Sequence, residues 1–206
     1  MFNVCPQCGE YCVEKTIDPD GSYAICPSCY YKHPFLQQPL FIITGPSGAG
    51  KSTICLELVP LMKECVVMDS DILWGTFAGT SENNHTDYRN MWLRVAKNIG
   101  QAGRPVVLCG TALPDQFETC SERRYFSTLH YLAVVCDDAL LKKRLQQRPQ
   151  WRKSGSDDFV KQMVQFNRWL KDHAMTTNPS MTLYDNTHRS IQEATSDVAQ
   201  WIHERL

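Results

Sequence analysis

Gly45-Pro46-Ser47-Gly48-Ala49-Gly50-Lys51-Ser52 decides the fold of this 206-residue chain. The apolar run Leu40-Phe41-Ile42-Ile43-Thr44 precedes it, and a helical pattern over 51–63 follows. Strand, glycine loop and helix in that order form the setting in which the GxxxxGK[ST] spacing has a physical meaning. Such a loop curls its backbone N–H groups around a phosphate, and glycines stand where a Cβ would obstruct the curl. Gly45, Ser47, Gly48, Ala49, Gly50, Lys51, Ser52 and Thr53 are therefore the candidate cradle for a nucleoside triphosphate. Lys51 is placed to reach the β- and γ-phosphates, the Ser52 hydroxyl to hold Mg²⁺, and the helix start adds partial positive charge.

The bulk numbers narrow the setting. A formal net charge of −1 gives no global reason to coat nucleic acid or an anionic membrane. The 43% hydrophobic content suits a packed core with a small appendage. No apolar run approaches a membrane span, and the first residues carry neither a basic n-region nor an apolar h-region, so a cytoplasmic protein is expected. Of ten cysteines, four fall in two CPxC pairs, while Cys55, Cys65, Cys109 and Cys136 lie among apolar neighbours and read as small buried hydrophobes. That usage suits a reducing compartment.

Residues 1–38 read as a separate unit. Cys5-Pro6-Gln7-Cys8 and Cys26-Pro27-Ser28-Cys29 are CxxC pairs with 17 residues between Cys8 and Cys26. Two tight turns, each offering two thiolates, meet the tetrahedral demand of Zn²⁺. Asp18-Pro19-Asp20-Gly21 is a turn signal between Cys12-Val13 and Tyr23-Ala24-Ile25, which predicts a hairpin between the knuckles. The unit resembles the zinc ribbon family, with Cys12 as a spare, packed thiol. Its cations are Lys15 and Lys32 alone, too few for a strong phosphate grip, so nucleic acid is a possible but not a favoured partner. Tyr23, Tyr30, Tyr31 and Phe35 can stack on bases or equally pack on the next domain. Pro34 and Pro39 bracket a short linker.

Over residues 39–206, short apolar runs alternate with helical patterns. Strands are expected at Leu40–Thr44, Cys65–Met68, Pro105–Cys109, Tyr131–Cys136 and Met181–Tyr184. Helices are expected near 51–63, 86–102, 115–123, 138–147, 157–174 and 190–204. The pattern predicts an α/β domain with a five-stranded parallel sheet covered on both faces. The helix over 157–174 is read from Phe159, Met163, Phe166 and Leu170, and Ser190-Ile191-Gln192-Glu193 is a capping box.

Chemistry in such sheets collects at the carboxyl ends of the strands. There the second strand offers Asp69-Ser70-Asp71, two carboxylates at i, i+2 that serve a metal and an attacking hydroxyl. The third strand ends Leu108-Cys109-Gly110-Thr111 without the acid that many P-loop ATPases carry. Its absence argues against a motor or AAA-type ATPase and moves the acidic work to Asp69 and Asp71. Residues 142–153 hold six cations and no acid. A lid near 148–156 is expected, with Arg148 and Arg152 on the transferred phosphoryl group and Arg144 next to them. The acceptor pocket is expected between Asp71 and residues 74–94, with the 110–124 loop closing one side. Trp74, Phe77, His85, Tyr88, Arg89 and Trp92 are its candidate wall, and Arg123 and Arg124 are candidate phosphate partners for which a surface role is preferred. His85 is not needed as a base, because the carboxylates suffice.

The glycine loop, the DSD and the acid-free third strand together resemble the small P-loop kinases of the shikimate and gluconate kinase group and the wider nucleoside and nucleotide kinases. The resemblance covers 39–206; the ribbon departs from it. It implies transfer from Mg-ATP to a small-molecule acceptor, with Asp69 on the metal side and Asp71 on the acceptor side. A nucleoside or nucleotide is the favoured acceptor and a sugar-like molecule is close behind. Two other readings stay open: a 5′-hydroxyl polynucleotide kinase guided by the ribbon, and a nucleotide-binding switch whose ribbon docks a partner.

Overall fold

The computed structural model describes residues 3–21, 23–73, 85–149, 152 and 154–206. Its larger sheet has β4 (Leu40–Thr44) at the centre, β6 (Val106–Cys109) and β5 (Val66–Asp69) on one side, and β7 (Leu129–Val135) and β8 (Met181–Asp185) on the other. All four pairings are parallel. The helices are α1 (Lys51–Leu61), α2 (Thr86–Gly100), α3 (Pro114–Glu118), α4 (Asp138–Gln146), α5 (Asp157–His173) and α6 (Ile191–His203). This is the five-stranded, doubly covered P-loop fold that the alternating pattern predicts.

Both faces of β4 are apolar because both are covered. Leu40 and Ile42 pack with Trp92, Leu93 and Ala96 of α2, whereas Phe41 and Ile43 pack with Ile54 and Leu58 of α1 and Val198 and Ile202 of α6. Successive side chains on a strand point to opposite faces, so a run apolar at every position can only belong to a strand buried twice.

The element ends moved by one to five residues. β5 runs through Asp69, which makes that acid the last residue of the strand. Helix α1 stops at Leu61, since Pro60 removes a donor from the last turn and Met62 leaves the helical region. The expected helix at 115–123 is two pieces, α3 and a 3-10 turn over Ser121–Tyr125. Ser190 and Glu193 form the capping box. On α5 the buried stripe is Val160, Val164, Asn167 and Leu170, one residue on from the expected one for its first three members.

The amino-terminal unit is a three-stranded antiparallel sheet of β1 (Thr16–Ile17), β2 (Tyr23–Ile25) and β3 (Lys32–Pro34). The hairpin turn holds, with Gly21 N–H donating to Asp18 O at 2.9 Å, but its first strand is Thr16–Ile17 rather than Cys12–Val13. Ala24 and Phe35 join the core on the α2 face of the large sheet. The segment after β3 is bonded rather than loose, for Leu36 N–H donates to Gln101 Oε1 at 2.9 Å just beyond α2. The ribbon-like unit thus sits at the amino-terminal edge of the sheet, opposite the edge where the glycine loop opens. Among the described residues, no helix is long and apolar enough to cross a membrane.

Candidate functional site

The loop after β4 depends on glycine at two places. A Cβ on Gly45 would lie 2.2 Å from the Val134 carbonyl oxygen, and one on Gly50 would lie 2.6 Å from Asn186 Nδ2; both residues have positive φ. Asn186 closes the arrangement. Its Nδ2 donates to Ala49 O at 2.9 Å, while its own N–H donates to Val135 O at 2.8 Å, so the end of β7 holds the loop through one buried amide. On the other side, Thr44 Oγ1 donates to Ala112 O at 2.6 Å and accepts from Ala112 N–H at 2.9 Å.

Lys51 opens α1 and is buried beneath the loop, where its ammonium donates to Gly45 O at 2.7 Å and Pro46 O at 3.0 Å. Burial pulls it below the usual lysine range, an effect that Cys109 and Asp71 oppose. A charge held this way is drawn to an anion that brings better oxygens than two neutral carbonyls.

A cleft of about 580 Å³ opens over the loop. Ser47, Gly48, Gly50, Lys51, Ser52 and Thr53 line its floor, Asp69 and Asp71 one wall, and Arg144, Arg148 and Arg152 another. Gly45 and Ala49 are buried and shape the loop from beneath. The expected residues therefore converge. Asn186 and Arg189 also line this cleft; only a strand-end position at the carboxyl edge could have pointed to Asn186. Arg144 Nη1 approaches Gly48 O and Ala49 O at 3.4 Å. Of the lid region 148–156, residues 150, 151 and 153 lie outside the described residues.

The two aspartates do not stay on an extended chain. A 3-10 turn over Ser70–Leu73 follows β5 at once, and Asp71 N–H donates to Asp69 Oδ1 at 2.8 Å. The turn brings both carboxylates to the cleft by another route than the expected i, i+2 alternation. It is held in place by Tyr88, whose hydroxyl donates to Ser70 O at 2.6 Å. Burial, then the neighbouring Asp69, pushes the Asp71 carboxyl up, against the pull of Lys51, Arg152 and Arg148.

A second cleft of about 580 Å³ meets the first at Ser47, Asp71, Gly110 and Thr111. Its walls include His85 just before α2, Tyr88 and Arg89 within it, all three among the candidate wall residues, and Gln116 and Phe117 of α3, which fall in the 110–124 segment. Phe159 and Met163 of α5, from whose spacing the helix is read, complete it; the one-residue rotation of the buried stripe leaves them on the cleft. Trp92, expected in the wall, is instead 1% exposed in the core, edge-on to Tyr88. Trp74 and Phe77 lie outside the described residues. Arg123 pairs with Glu118 at 2.7 Å and Arg124 with Glu14 at 3.6 Å, away from either cleft. Burial pulls the Arg89 guanidinium below its usual range.

In the amino-terminal unit, the sulfurs of Cys5, Cys8, Cys26 and Cys29 all lie within 4.8 Å of one another. Cys5 and Cys29 are 3.6 Å apart, and Cys8 and Cys26 are 3.8 Å apart. A tetrahedral Zn²⁺ with thiolates at about 2.3 Å needs edges of about 3.8 Å, so the donor set fits zinc. Although burial opposes it, backbone amides of Cys8 and Gln7 help bring the Cys5 thiol down to about 6. Cys55, Cys65, Cys109 and Cys136 are all buried, as their neighbours implied.

The fold resembles solved kinases. A sugar kinase from Janibacter sp. matches with a TM-score of 0.61 at 12% identity, covering 82% of this chain and 95% of that one. The APS kinase of Mycobacterium tuberculosis, in complex with AMPPNP and APS, matches with a TM-score of 0.54 at 15% identity, covering 82% and 99%. A gluconokinase from Sinorhizobium meliloti matches with a TM-score of 0.51 at 12% identity, covering 82% and 98%. No curated protein sequence matches the chain.

Residues 42–165 match the family described as AAA domain, which corrects the expectation drawn from the acid-free third strand. β6 does end in Cys109, yet the register pairs Cys109 with Asp69 of β5, so an acid stands at the same level one strand away. From its central strand to the helix beyond the basic segment, this chain belongs to the AAA domain family.

Proposed function

We propose that the protein is an ATP-dependent phosphotransferase acting on a small molecule, with a nucleoside or nucleotide as the favoured acceptor. The observation that carries this reading is the meeting of two clefts at Ser47, Asp71, Gly110 and Thr111. One is lined by the glycine loop and four arginines, and the other by aromatic and polar groups, so Asp71 stands where donor and acceptor would touch. A nucleotide-binding switch needs no second cleft joined in this way.

In this reading the loop amides and Lys51 bind the β- and γ-phosphates, and Asn186 keeps the loop in shape. When bound, Mg²⁺ neutralises phosphate charge, with Ser52 and Asp69 as the residues that would hold it. Asp71 orients the acceptor hydroxyl and takes its proton as the hydroxyl oxygen bonds to the γ-phosphorus. The bond from that phosphorus to the bridging oxygen breaks, and ADP departs with the electron pair. Asp71 lines both clefts and Asp69 only the first, which favours Asp71 for this step, and burial pushes the Asp71 carboxyl up, making it a stronger base than an ordinary aspartate. Arg144, Arg148 and Arg152 face the charge that spreads over the transferred group.

Tyr88, Phe117 and Phe159 line the same cleft as Arg89 and Gln116, so a planar base would meet aromatic surface and polar contacts together there. That chemistry supports a nucleoside or nucleotide ahead of a sugar. The polynucleotide reading needs the ribbon beside the cleft, whereas the ribbon packs at the opposite edge of the sheet. Cys5, Cys8, Cys26 and Cys29 are assigned to one Zn²⁺; metal analysis of the purified chain should return about one zinc, lost in Cys26→Ser. The function is tested by transfer of label from γ-labelled ATP to a panel of nucleosides, nucleotides, sugars and 5′-hydroxyl oligonucleotides. Label on a small molecule supports the proposal. ATP binding with no labelled acceptor would contradict it.

A further inference from the structure

Helix α2 faces two places. Near its first turn Tyr88 and Arg89 line the second cleft, and near its last turn Lys97 is buried against the amino-terminal unit. Nine residues of helix separate Tyr88 from Lys97, a rise of about 13 Å. We propose that the zinc ribbon is a metal-dependent buttress of the acceptor cleft, setting the position of α2 through Asn3, Lys97, Glu122 and Tyr125.

The Lys97 ammonium donates to Glu122 Oε2 at 2.6 Å and to Asn3 Oδ1 at 2.7 Å. The side chains of Lys97 and Glu122 are wholly buried. A buried ammonium is stable only while its hydrogen bonds are made, and one of these acceptors belongs to the ribbon. The ammonium also lies 4.0 Å from the centre of the Tyr125 ring. Tyr125 is itself grasped by the ribbon: its hydroxyl donates to Val13 O and accepts from Lys15 N–H, and its ring meets the edge of Phe35.

The same 3-10 turn is tied back to α2 beside the cleft. Asn90 Oδ1 accepts from Ser121 Oγ at 3.2 Å and from Glu122 N–H at 3.3 Å, one residue after Arg89. A contiguous set of buried and half-buried contacts therefore runs from the ribbon to the cleft wall. A unit this small has little core of its own and folds on its metal, so metal loading and the placement of α2 are coupled.

The inference rests on the readings of the four thiols as a zinc site and of the second cleft as the acceptor site. Its test is built to fail separately from them. Amide hydrogen exchange is followed on the full chain, zinc-loaded and after removal of the metal by a strong chelator. Residues 86–100 and 121–125 should lose about tenfold in protection while α1 and α6 keep theirs. Changes confined to residues 3–36 would overturn the proposal.

Should chelation unfold the whole chain, the zinc-loaded double variant Asn3→Ala/Tyr125→Phe decides. It removes the Asn3 acceptor of Lys97 and the Tyr125 hydroxyl bonds to Val13 and Lys15, and leaves the thiols, the Phe35–Tyr125 ring contact and both clefts intact. Protection over 86–100 should fall while α1 is unchanged, and the acceptor KM should rise about tenfold with the ATP KM within about twofold. Unchanged exchange over 86–100 in this variant would overturn the proposal, and exchange reports this even where no acceptor is phosphorylated. Equal changes in both KM values would likewise overturn it, because a general loss of stability does not distinguish acceptor from donor.

Discussion

Gly110→Ala should disable the site from a residue that lines both clefts but carries no chemical group of its own. A Cβ at residue 110 would lie 1.9 Å from Ser70 Oγ and 3.0 Å from Ser70 Cβ. A change of rotamer can move the hydroxyl, but the contact at 3.0 Å remains. Ser70 has little room to retreat, for it is buried between Asp69 and Asp71, and its carbonyl accepts the Tyr88 hydroxyl at 2.6 Å. Overpacking of this kind costs about 1–3 kcal/mol of stability. In a chain of this size that lowers the thermal midpoint by about 2–4 °C per kcal/mol. The larger effect falls on Asp71, since a displacement of about 1 Å reduces turnover about a hundredfold. Urea unfolding and phosphoryl-transfer rates should be measured for Gly110→Ala, for Ser70→Ala/Gly110→Ala, and for Gly100→Ala, whose new Cβ would meet Gln38 at 3.4 Å from Cγ and 3.5 Å from Cβ. The double variant should regain part of the lost turnover, and Gly100→Ala should match the wild type. Wild-type turnover and stability in Gly110→Ala would refute the reasoning.

Three further perturbations follow from the same geometry. Asn186→Ala leaves the Ala49 carbonyl with only the longer 3.4 Å approach of Arg144 Nη1 and should weaken ATP about 5–30-fold by calorimetry, the equivalent of about 1–2 kcal/mol; an unchanged Kd would show that Asn186 does not hold the loop. Asp71→Asn should abolish transfer yet raise stability at neutral pH. A folded pKa above the unfolded one penalises the ionised carboxyl, so the penalty is full at neutral pH and vanishes as pH falls through the folded value. The stability gain should therefore disappear in acid, and a gain that grew there would contradict the assignment. Glu122→Gln strands the buried Lys97 ammonium and should cost about 3 kcal/mol in urea unfolding, at the lower end for a broken buried pair because Arg94 can turn to solvent; a neutral substitution would count against the burial of that pair.

The glycine loop was legible because its spacing, the strand before it and the helix after it all serve one backbone conformation. That Arg144, Arg148, Arg152 and the two aspartates share one cleft was legible as charges at the carboxyl edge of a parallel sheet. Other residues escaped for physical reasons. Phe159 and Met163 share the spacing of Val160 and Val164 one position on, and helical periodicity alone does not choose between adjacent apolar stripes. Trp92 sits on the same helix as Tyr88 and Arg89, and only the packed sheet shows that it faces the core. Asn186 acts on a carbonyl 137 residues earlier, and Lys97 meets its partners across 25 and 94 residues, separations that leave no local pattern. Pro34 and Pro39 suggested a linker, yet Leu36 and Gln101 bond across it, since backbone groups next to a packed surface find partners there. The acid-free end of β6 was read correctly as a residue and too broadly as an exclusion.

The central claim, that the two clefts meet at Asp71 to pass a phosphoryl group, is tested most directly by γ-labelled ATP and Mg²⁺ with nucleosides and nucleotides as acceptors. Wild type should be run beside Lys51→Ala and Asp71→Asn, with ATP binding measured in parallel. The account predicts label on a nucleoside or nucleotide with wild type, none with either variant, and retained ATP binding in Asp71→Asn. Equal transfer by Asp71→Asn and wild type would contradict it.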